Sequence, residues 1–154
     1  MKRIAVFPGS FDPVTFGHTH IVERSVDLFD LIIVAIGVNT TKQYMFPLQQ
    51  RVEWTKQVFQ HLPNVDVHTY EGLTVDFCSR VGSKYILRGL RNGSDFDFEQ
   101  SIAAMNKTLN PEIETIFLNT DAAYAAIHSS IVREIIKNKG DVSEFIPKQI
   151  DVYI

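Results

Sequence analysis

The sequence predicts a single α/β domain with a doubly wound fold on a five-stranded parallel sheet. Five short runs of apolar, mostly β-branched residues recur along the 154-residue chain, and segments of helical length and period separate them. This alternation indicates βαβ units with right-handed crossovers, in which helices cover both faces of a parallel sheet. Ligands of such folds bind beyond the carboxyl ends of the strands, so the residues that follow each strand are the candidates for function.

The predicted strands are residues 4–7, 31–36, 65–68, 85–87 and 113–118. Apolar residues at helical spacing mark three helices between them. The residues that share a face are Ile21, Val22, Ser25, Val26 and Phe29 in the first, Val52, Trp54, Val58 and Phe59 in the second, and Ile102, Met105, Asn106 and Leu109 in the third. After the last strand, Ser129 or Ser130 is expected to cap a further helix, which ends at Gly140 and Asp141. A short tail segment begins at residues 143–147.

Composition indicates one compact domain over residues 1–154, because 45% hydrophobic and 21% charged residues are ordinary for a globular chain. The net charge of −3 gives no general attraction to nucleic acid or to an anionic membrane, so neither is an expected partner. Cys78 is the only cysteine, which excludes an intramolecular disulfide and argues against a cysteine-based zinc site. The apolar run at residues 4–7 is too short for a signal sequence or a membrane span. We therefore expect a cytoplasmic protein.

The first strand is followed by a loop rich in proline and glycine that leads into a helix. Gly9 and Gly17 permit close backbone approach or positive φ, and Pro8 and Pro13 stiffen the loop. The unpaired N–H groups at a helix N-terminus attract anions, and His18 lies in the first turn, where it can hydrogen-bond a phosphate. The alternative is an ordinary βα turn with a solvated histidine.

Positively charged residues follow two further strands. Lys42 lies after the second strand, and Arg88 and Arg91 lie after the fourth. An arginine beyond a buried strand needs an anionic partner or open solvent, and two arginines three residues apart are suited to phosphate recognition. Lys42 alone is more often a solvated side chain.

Three alternatives concern the other polar residues near the strand ends. Arg91 can instead form a structural ion pair with one of three acidic residues, Asp95, Asp97 or Glu99. The fifth strand is followed by Ser129, Ser130 and Arg133, of which the serines can be helix caps and nothing more. His20 and His68 have no convincing partner ligands and are interpreted as surface or core residues.

Several well-known motifs are missing. The chain contains no G-x-x-x-x-G-K-[ST], no G-x-G-x-x-G, no H-E-x-x-H and no G-x-S-x-G. A P-loop phosphotransferase, a dinucleotide-dependent dehydrogenase, a zinc protease and an α/β-hydrolase therefore lack support.

The remaining motifs together resemble a known family. They are P-G-S-F-D-P-V-T-F-G-H at residues 8–18, Lys42, R-G-L-R at residues 88–91, D-F with Glu99 from residue 95, and S-S-I-V-R at residues 129–133. In order and spacing they are similar to the bacterial phosphopantetheine adenylyltransferases along nearly the whole chain. The T-x-G-H part alone marks the wider nucleotidyltransferase superfamily, and the other motifs carry the specificity.

This resemblance implies a Rossmann-like nucleotidyltransferase of coenzyme A biosynthesis. It would transfer AMP from ATP to 4′-phosphopantetheine, giving dephospho-coenzyme A and pyrophosphate by direct in-line attack without a covalent enzyme intermediate. Mg²⁺ would screen the pyrophosphate, with no metal-ligating residue assigned on the protein. The resemblance also implies a homohexamer, coenzyme A as a feedback ligand and a bacterial cytosol.

The resemblance assigns residues to three roles. The catalytic residues are His18, Lys42 and Arg91. The residues that bind the acceptor are Ser10, Lys42, Thr74 and Arg88. The residues that bind ATP are Ser10, Phe11, His18, Gly89, Leu90, Arg91, Glu99, Tyr124, Ala125, Ala126, Ile127, His128, Ser129 and Ser130.

Elementary chemistry agrees with that assignment. A phosphate monoester is a dianionic nucleophile that needs no strong base, so positioning and electrostatic stabilisation supply most of the catalysis. Lys42, Arg88, Arg91 and a protonated or hydrogen-bonding His18 are suited to this task.

The chain departs from the family pattern at three positions. His128 stands where the family usually has a serine, and Phe98 where it often has tyrosine. Thr74 stands where relatives often have an apolar residue. His128 would add a pH-sensitive donor near the triphosphate.

Two other functions stay open. One is the same chemistry with nicotinamide mononucleotide or glycerol phosphate as the acceptor, or with CTP as the nucleotide. The other is a nucleotide-binding module without catalysis, since a fold alone does not establish an activity.

Overall fold

Strands and helices alternate along the whole chain in the computed structural model, which describes residues 1–153. The elements are β1 (Ile4–Gly9), α1 (Phe16–Ser25), β2 (Leu31–Gly37), α2 (Leu48–Phe59), β3 (Val65–Tyr70), α3 (Thr74–Val81), β4 (Tyr85–Leu90), α4 (Gly93–Leu109), β5 (Glu114–Asn119) and α5 (Ser129–Lys137). The five strands form one parallel sheet in the order β3-β2-β1-β4-β5. The predicted doubly wound α/β fold is confirmed.

Each predicted strand is present, and several run further than predicted. β4 extends through Arg88 to Leu90, so Arg88 is part of the strand and does not follow it. Arg88 pairs with Phe117 of β5 in the parallel ladder. The hydrogen bonds of this ladder are made by the backbone, so a charged side chain does not end the strand. Arg88 is therefore a residue of the sheet itself, and the pleat sets the direction in which its side chain leaves the backbone.

The two faces of the sheet bury two separate apolar clusters. Alternate residues divide between them, since Phe7 and Val34 enter one cluster and Val6 and Ile33 enter the other. α1, α2 and α5 cover the first cluster. α3 covers the second with Val75, Phe77 and Cys78. The sequence did not single out α3, because a helix of eight residues has too few turns for its periodicity to be recognised.

α4 differs from the other helices, since none of its residues is buried. The face predicted from Ile102, Met105 and Leu109 is helical but exposed, and Phe98 one turn earlier is 68% exposed. These residues form a continuous apolar stripe, because positions 98, 102, 105 and 109 recur on one side of a helix.

The ends of α5 also differ from the prediction. Its N-cap is His128 rather than a serine, and Ser129 Oγ donates to the carbonyl of Pro13 at 3.3 Å instead of capping the helix. α5 ends at Lys137, ahead of Gly140, because the chain reverses at Lys139 with a φ of 59°. Within residues 1–153, no helix combines the length and the apolar character needed to cross a membrane.

Candidate active site

The carboxyl ends of β1 and β4 lie side by side at the centre of the sheet, and the strand order reverses between them. Such a reversal opens a crevice at the carboxyl edge of a parallel sheet. Two adjoining cavities lie there, a first of about 380 Å³ and a second of about 430 Å³. The residues that line both are Pro8, Gly9, Ser10, Lys42, Arg88 and Glu99.

The loop after β1 is shaped by the ring of Phe11. Phe11 is 2% exposed and has a φ of 49°, a left-handed conformation that side chains other than glycine rarely adopt. Its ring lies 4.7 Å from the ring of His18, centroid to centroid, and a Cβ on Gly9 would come within 3.0 Å of it. Gly9 therefore makes room for Phe11, and the positive φ expected of a glycine belongs to Phe11 instead.

The orientation of His18 is fixed by the residue that begins its helix. The backbone N–H of Thr15 donates to Nδ1 of His18 at 3.0 Å. A backbone N–H can only donate, so Nδ1 carries no proton and Nε2 carries it. His18 lines the second cavity, where this Nε2–H is available to a ligand.

The charge of His18 follows from its surroundings. Burial lowers its pKa to about 4, and the positive charges of Arg88 and Arg91 act in the same direction. His18 is therefore a neutral hydrogen-bond donor at neutral pH. Of the two forms that the sequence left open, the lowered pKa favours the neutral, hydrogen-bonding one.

A close contact brings the helix of His18 against β4. A Cβ on Gly89 would lie 2.9 Å from Cγ1 of Ile21 and 3.1 Å from Cδ1. Only a glycine fits there without displacing Ile21. The backbone of β4 between Arg88 and Arg91 consequently lies directly against α1.

Arg88 is paired with Glu99 in a two-pronged ion pair. Nε donates to Oε2 at 2.9 Å and Nη2 donates to Oε1 at 2.6 Å, while Nη1 donates to the carbonyl of Pro8 at 2.7 Å. A guanidinium has five N–H groups, so these three bonds leave one N–H on each Nη. Arg88 lines both cavities and can present these two donors to an anion.

Arg91 is held in place by Asp95 and His128. Nε donates to Oδ2 of Asp95 at 2.9 Å, and the backbone N–H of Arg91 donates to the same oxygen at 3.0 Å. The hydrogen bonds from Arg91 keep the pKa of Asp95 below its usual range. Nη1 of Arg91 donates to Nδ1 of His128. Of the three acidic partners considered for Arg91, Asp95 is therefore the one used, while Glu99 pairs with Arg88.

The loop that carries Lys42 is joined to the loop after β1. Nζ of Lys42 donates to Oγ of Ser10 at 3.1 Å. The carboxylate of Asp12 accepts the backbone N–H groups of Met45 and Phe46, each at 2.9 Å. These bonds place Lys42 at the boundary of the two cavities.

The segment before α5 forms the far wall of the second cavity. Arg133 donates from Nη1 to the carbonyl of Asp12 at 3.0 Å, which fixes α5 against the loop after β1. His20 and Tyr124 lie with ring centroids 4.6 Å apart, and Nε2 of His20 is 3.1 Å from Oδ2 of Asp121. His20 is thus a partly buried residue that contacts this wall from α1.

Most of the residues assigned from the sequence meet in these two cavities. Those that line the second cavity are Ser10, Phe11, His18, Lys42, Arg88, Gly89, Arg91, Glu99, Tyr124, Ile127, His128, Ser129 and Ser130. Thr74 lines only the first cavity, where its hydroxyl lies 2.9 Å from the hydroxyl of Tyr70. Leu90, Ala125 and Ala126 line neither cavity.

Some residues that shape the site were not singled out from the sequence. Asp12 and Thr15 position the two loops, and Arg51 is 2% exposed and donates to the carbonyl of Ser10 at 2.7 Å. One signal for Arg51 was available, because it falls seven residues before Val58 on the buried side of α2. A charged residue at a buried helical position needs fixed partners.

The acidic residues of the second cavity are already paired. Asp12, Asp95 and Glu99 accept hydrogen bonds from Met45 and Phe46, from Arg91 and from Arg88, respectively. Across residues 1–153 there is no group of three or more potential metal-ligating side chains. These residues do not fit a metal ion held by the protein itself.

Comparison with known proteins identifies the family of the chain. The family model described as cytidylyltransferase-like matches residues 6–135. A phosphopantetheine adenylyltransferase of Flavobacterium psychrophilum is 53% identical over 150 residues, covering 97% of this chain and 99% of that protein.

Two solved structures share the fold at lower identity. A Vibrio parahaemolyticus protein assigned as a nicotinate-nucleotide adenylyltransferase has a TM-score of 0.67 and 18% identity, over 97% of this chain and 96% of its own. The nicotinic acid mononucleotide adenylyltransferase of Plasmodium falciparum, complexed with NaAD, has a TM-score of 0.69 and 16% identity, over 96% of this chain and 92% of its own. The match to residues 6–135 and the 53% identity along nearly all of both chains establish that the chain belongs to the phosphopantetheine adenylyltransferases, within the cytidylyltransferase-like family.

Proposed function

We propose that the two adjoining cavities hold the two substrates of an adenylyl transfer, with the reacting phosphates meeting at the wall they share. As a phosphopantetheine adenylyltransferase, the protein transfers AMP from ATP to 4′-phosphopantetheine and releases pyrophosphate. The observation that carries the assignment of the site is the convergence of a neutral His18 donor, the two unused N–H groups of Arg88 and the ammonium of Lys42 at one place.

The first cavity is proposed to take the acceptor. Lys42 and Arg88 would bind the phosphate of 4′-phosphopantetheine, because both line the shared wall and Arg88 keeps two free donors there. The pantetheine arm would then run along Thr74 and Tyr70, whose hydroxyl groups are the polar contacts at that end. Ser10 would contact both substrates, since it lines both cavities.

The second cavity is proposed to take ATP. Its far wall is formed by Tyr124 and by residues 127–130, and its near wall carries His18 and Arg91. Glu99 was assigned to ATP from the resemblance. Its two oxygens accept from Arg88, so we assign it instead the role of orienting Arg88 toward the acceptor phosphate.

The chemistry needs no covalent enzyme intermediate. An oxygen of the acceptor phosphate attacks the α-phosphorus of ATP, and the bond from that phosphorus to the oxygen bridging to the β-phosphoryl group breaks. Negative charge develops on the oxygens of the α-phosphoryl group, where the Nε2–H of His18 would donate. Because His18 is neutral, it would act as a hydrogen-bond donor and not as a general acid.

Magnesium is proposed to enter with ATP as part of that substrate. The acidic residues of the cavity are engaged by protein donors, whereas triphosphate oxygens and water are ligands that Mg²⁺ prefers. The protein would thus contribute cations and N–H groups to the phosphates and leave the metal ion to the nucleotide.

The experiment that tests this function is pyrophosphate release from ATP and Mg²⁺ with three acceptors in parallel: 4′-phosphopantetheine, nicotinamide mononucleotide and glycerol 3-phosphate. We expect release only with 4′-phosphopantetheine, and its loss in His18→Ala. Release with another acceptor would overturn the assignment of the first cavity. No release with any acceptor, from protein that still binds ATP, would indicate a binding module.

The exposed stripe of α4 supports assembly into the homohexamer that the family resemblance implies. Phe98 and Met105 are 68% and 69% exposed, and they belong to one continuous apolar stripe. Exposed apolar patches of this kind often mark the interface between protein chains. We expect Phe98→Asp to lower the mass measured by sedimentation, because a buried carboxylate opposes association. Leu28→Asp, at an exposed apolar residue beyond α1, is the matched control and should leave the mass unchanged.

Two further proposals rest on the same function. Coenzyme A would compete with the acceptor, because it contains the same phosphopantetheine unit as the product. The cytoplasm is the compartment we propose, since Cys78 is the only cysteine and the chain therefore has no intramolecular disulfide of the kind that stabilises proteins in oxidising compartments.

A further inference from the structure

Lys42 lies on an exposed loop, unlike the other cations of the site. It falls between β2 and α2, and its side chain is exposed. Arg88 and Arg91 are each fixed by a carboxylate, whereas the ammonium of Lys42 has a single hydrogen bond, to Oγ of Ser10. A lysine side chain has four rotatable bonds and loses much conformational freedom when it is held in one place. A second contact is needed to keep this ammonium at the shared wall.

The ring of Tyr44 provides such a contact. Nζ of Lys42 lies 5.4 Å from the centroid of the Tyr44 ring, within the range at which the electron-rich face of an aromatic ring attracts a cation. Tyr44 also lines the first cavity, beside Lys42. The attraction therefore acts on the ammonium at the place where the acceptor phosphate is proposed to bind.

The ring is itself held by a buried cation. Cζ of Arg51 lies 4.0 Å from the same centroid. Arg51 is 2% exposed, and its Nε and Nη1 donate to the carbonyls of Phe46 and Ser10 at 3.0 and 2.7 Å. The guanidinium is thus fixed on both sides, and it fixes Tyr44 by stacking. A series of contacts joins the immobile Arg51 to the exposed Lys42, with Ser10 bonded to both.

We propose that Tyr44 is a positioning residue that holds the ammonium of Lys42 in the orientation that meets the acceptor phosphate. The inference rests on the proposed function, since Lys42 is assigned to that phosphate there. Tyr44 need not touch either substrate for this role. The electron-rich ring face is the property that matters, and the hydroxyl group is not.

A double-mutant cycle tests the inference. Tyr44→Leu removes the ring at similar volume, Tyr44→Phe keeps the ring face, and each is made alone and together with Lys42→Ala. The measured quantity is kcat/KM for 4′-phosphopantetheine at saturating ATP. We expect Tyr44→Leu alone to lower it about two- to fivefold, which corresponds to the strength of a cation–π contact at an exposed site. Tyr44→Phe should stay much nearer to the parent enzyme.

The cycle separates positioning from packing. If Tyr44 acts through Lys42, Tyr44→Leu should cost little or nothing once Lys42 is alanine. An equal loss in both backgrounds would overturn the inference, as would equal losses for Tyr44→Leu and Tyr44→Phe. Tyr44 is only half-buried, so both variants should fold, and Tyr44→Met, which also lacks the ring, takes the place of Tyr44→Leu in the cycle if the leucine variant does not fold.

Failure of the proposed function would look different. Lys42→Ala with unchanged kcat/KM would remove Lys42 from the acceptor site and overturn that part of the function. Lys42→Ala with a large loss, together with additive effects of Tyr44→Leu, would leave the function in place and overturn the inference alone.

Discussion

Titration of the five histidines in the folded enzyme would test whether His18 acts as a neutral donor. With a pKa of about 4, about 9% of His18 would be protonated at pH 5, whereas an ordinary histidine of pKa 6.5 would be about 97% protonated there. The assay is NMR of protein labelled with ¹³C and ¹⁵N in histidine, which reports both the midpoint and the tautomer. His18→Gln identifies the His18 signal by its disappearance.

The tautomer is an independent part of the same measurement. The bond from Thr15 requires the proton on Nε2. A midpoint between pH 6 and 7, or a proton on Nδ1, would refute the reasoning. A titration of activity would be a weaker assay, because the phosphate monoester of the acceptor also takes up a proton near pH 6.

Kinetics of two variants then connect the tautomer to catalysis. We expect His18→Ala to lower kcat about 10²- to 10³-fold, as the loss of one donor to a developing oxyanion does, with a much smaller effect on the KM for ATP. His18→Gln keeps a neutral N–H donor and should retain more activity than His18→Ala. Equal losses in the two variants would contradict a role as donor.

The lowered pKa of His18 also predicts how stability depends on pH. Unfolded, His18 takes up a proton around pH 6.5, and folded it does so only near pH 4. The unfolded state therefore binds more protons between these values, so the contribution of His18 to the free energy of unfolding falls as the pH is lowered from about 6.5 to about 4. His18→Gln should remove this part of the dependence.

Three further predictions concern the cations around the site. Arg88→Ala should raise the KM for 4′-phosphopantetheine about 10- to 100-fold with a smaller change in kcat, because charged hydrogen bonds to the phosphate are lost, and normal kinetics would place that phosphate elsewhere. His128→Ala should raise the KM for ATP about two- to tenfold, because Nη1 of Arg91 loses its acceptor and the guanidinium is held less firmly; an unchanged KM would contradict this. Arg51→Met should lower the free energy of unfolding by about 2–6 kcal/mol in urea denaturation, since two carbonyls lose their donor, and a loss under 1 kcal/mol would show that they find other partners.

Much of the fold was predictable because its signals are local. Each of the five strands is a short apolar run, and such runs are easily separated from the amphipathic segments between them. The exposure of α4 was not predictable, because Ile102 and Met105 have the spacing of a core-facing helix. Periodicity shows that a helix has an apolar face and does not show what covers it.

The sequence allowed a prediction of which residues lie together in the site. It did not allow a prediction of which of them pair with each other. Each cation lies near the carboxyl end of a strand or in the loop after it, and parallel strands bring such residues to one edge. Arg88 pairs with Glu99 and Arg91 pairs with Asp95 because of the position and orientation of α4 relative to β4, which cannot be read from the sequence. The neutral form of His18 likewise depends on burial and on two arginines distant in the chain.

Because Gly89 has no side chain, β4 can lie directly against α1. Because a Cβ there would come within 2.9 Å of Ile21, the spacing between α1, which carries His18, and β4, which carries Arg88, is set by the contact of the Gly89 backbone with the Ile21 side chain. A methyl group at this position would force either Ile21 or the β4 backbone to shift, while leaving His18 and Arg88 chemically intact. Gly89 thus lets α1 and β4 approach as closely as backbone packing allows, and the catalytic geometry proposed above relies on this close approach.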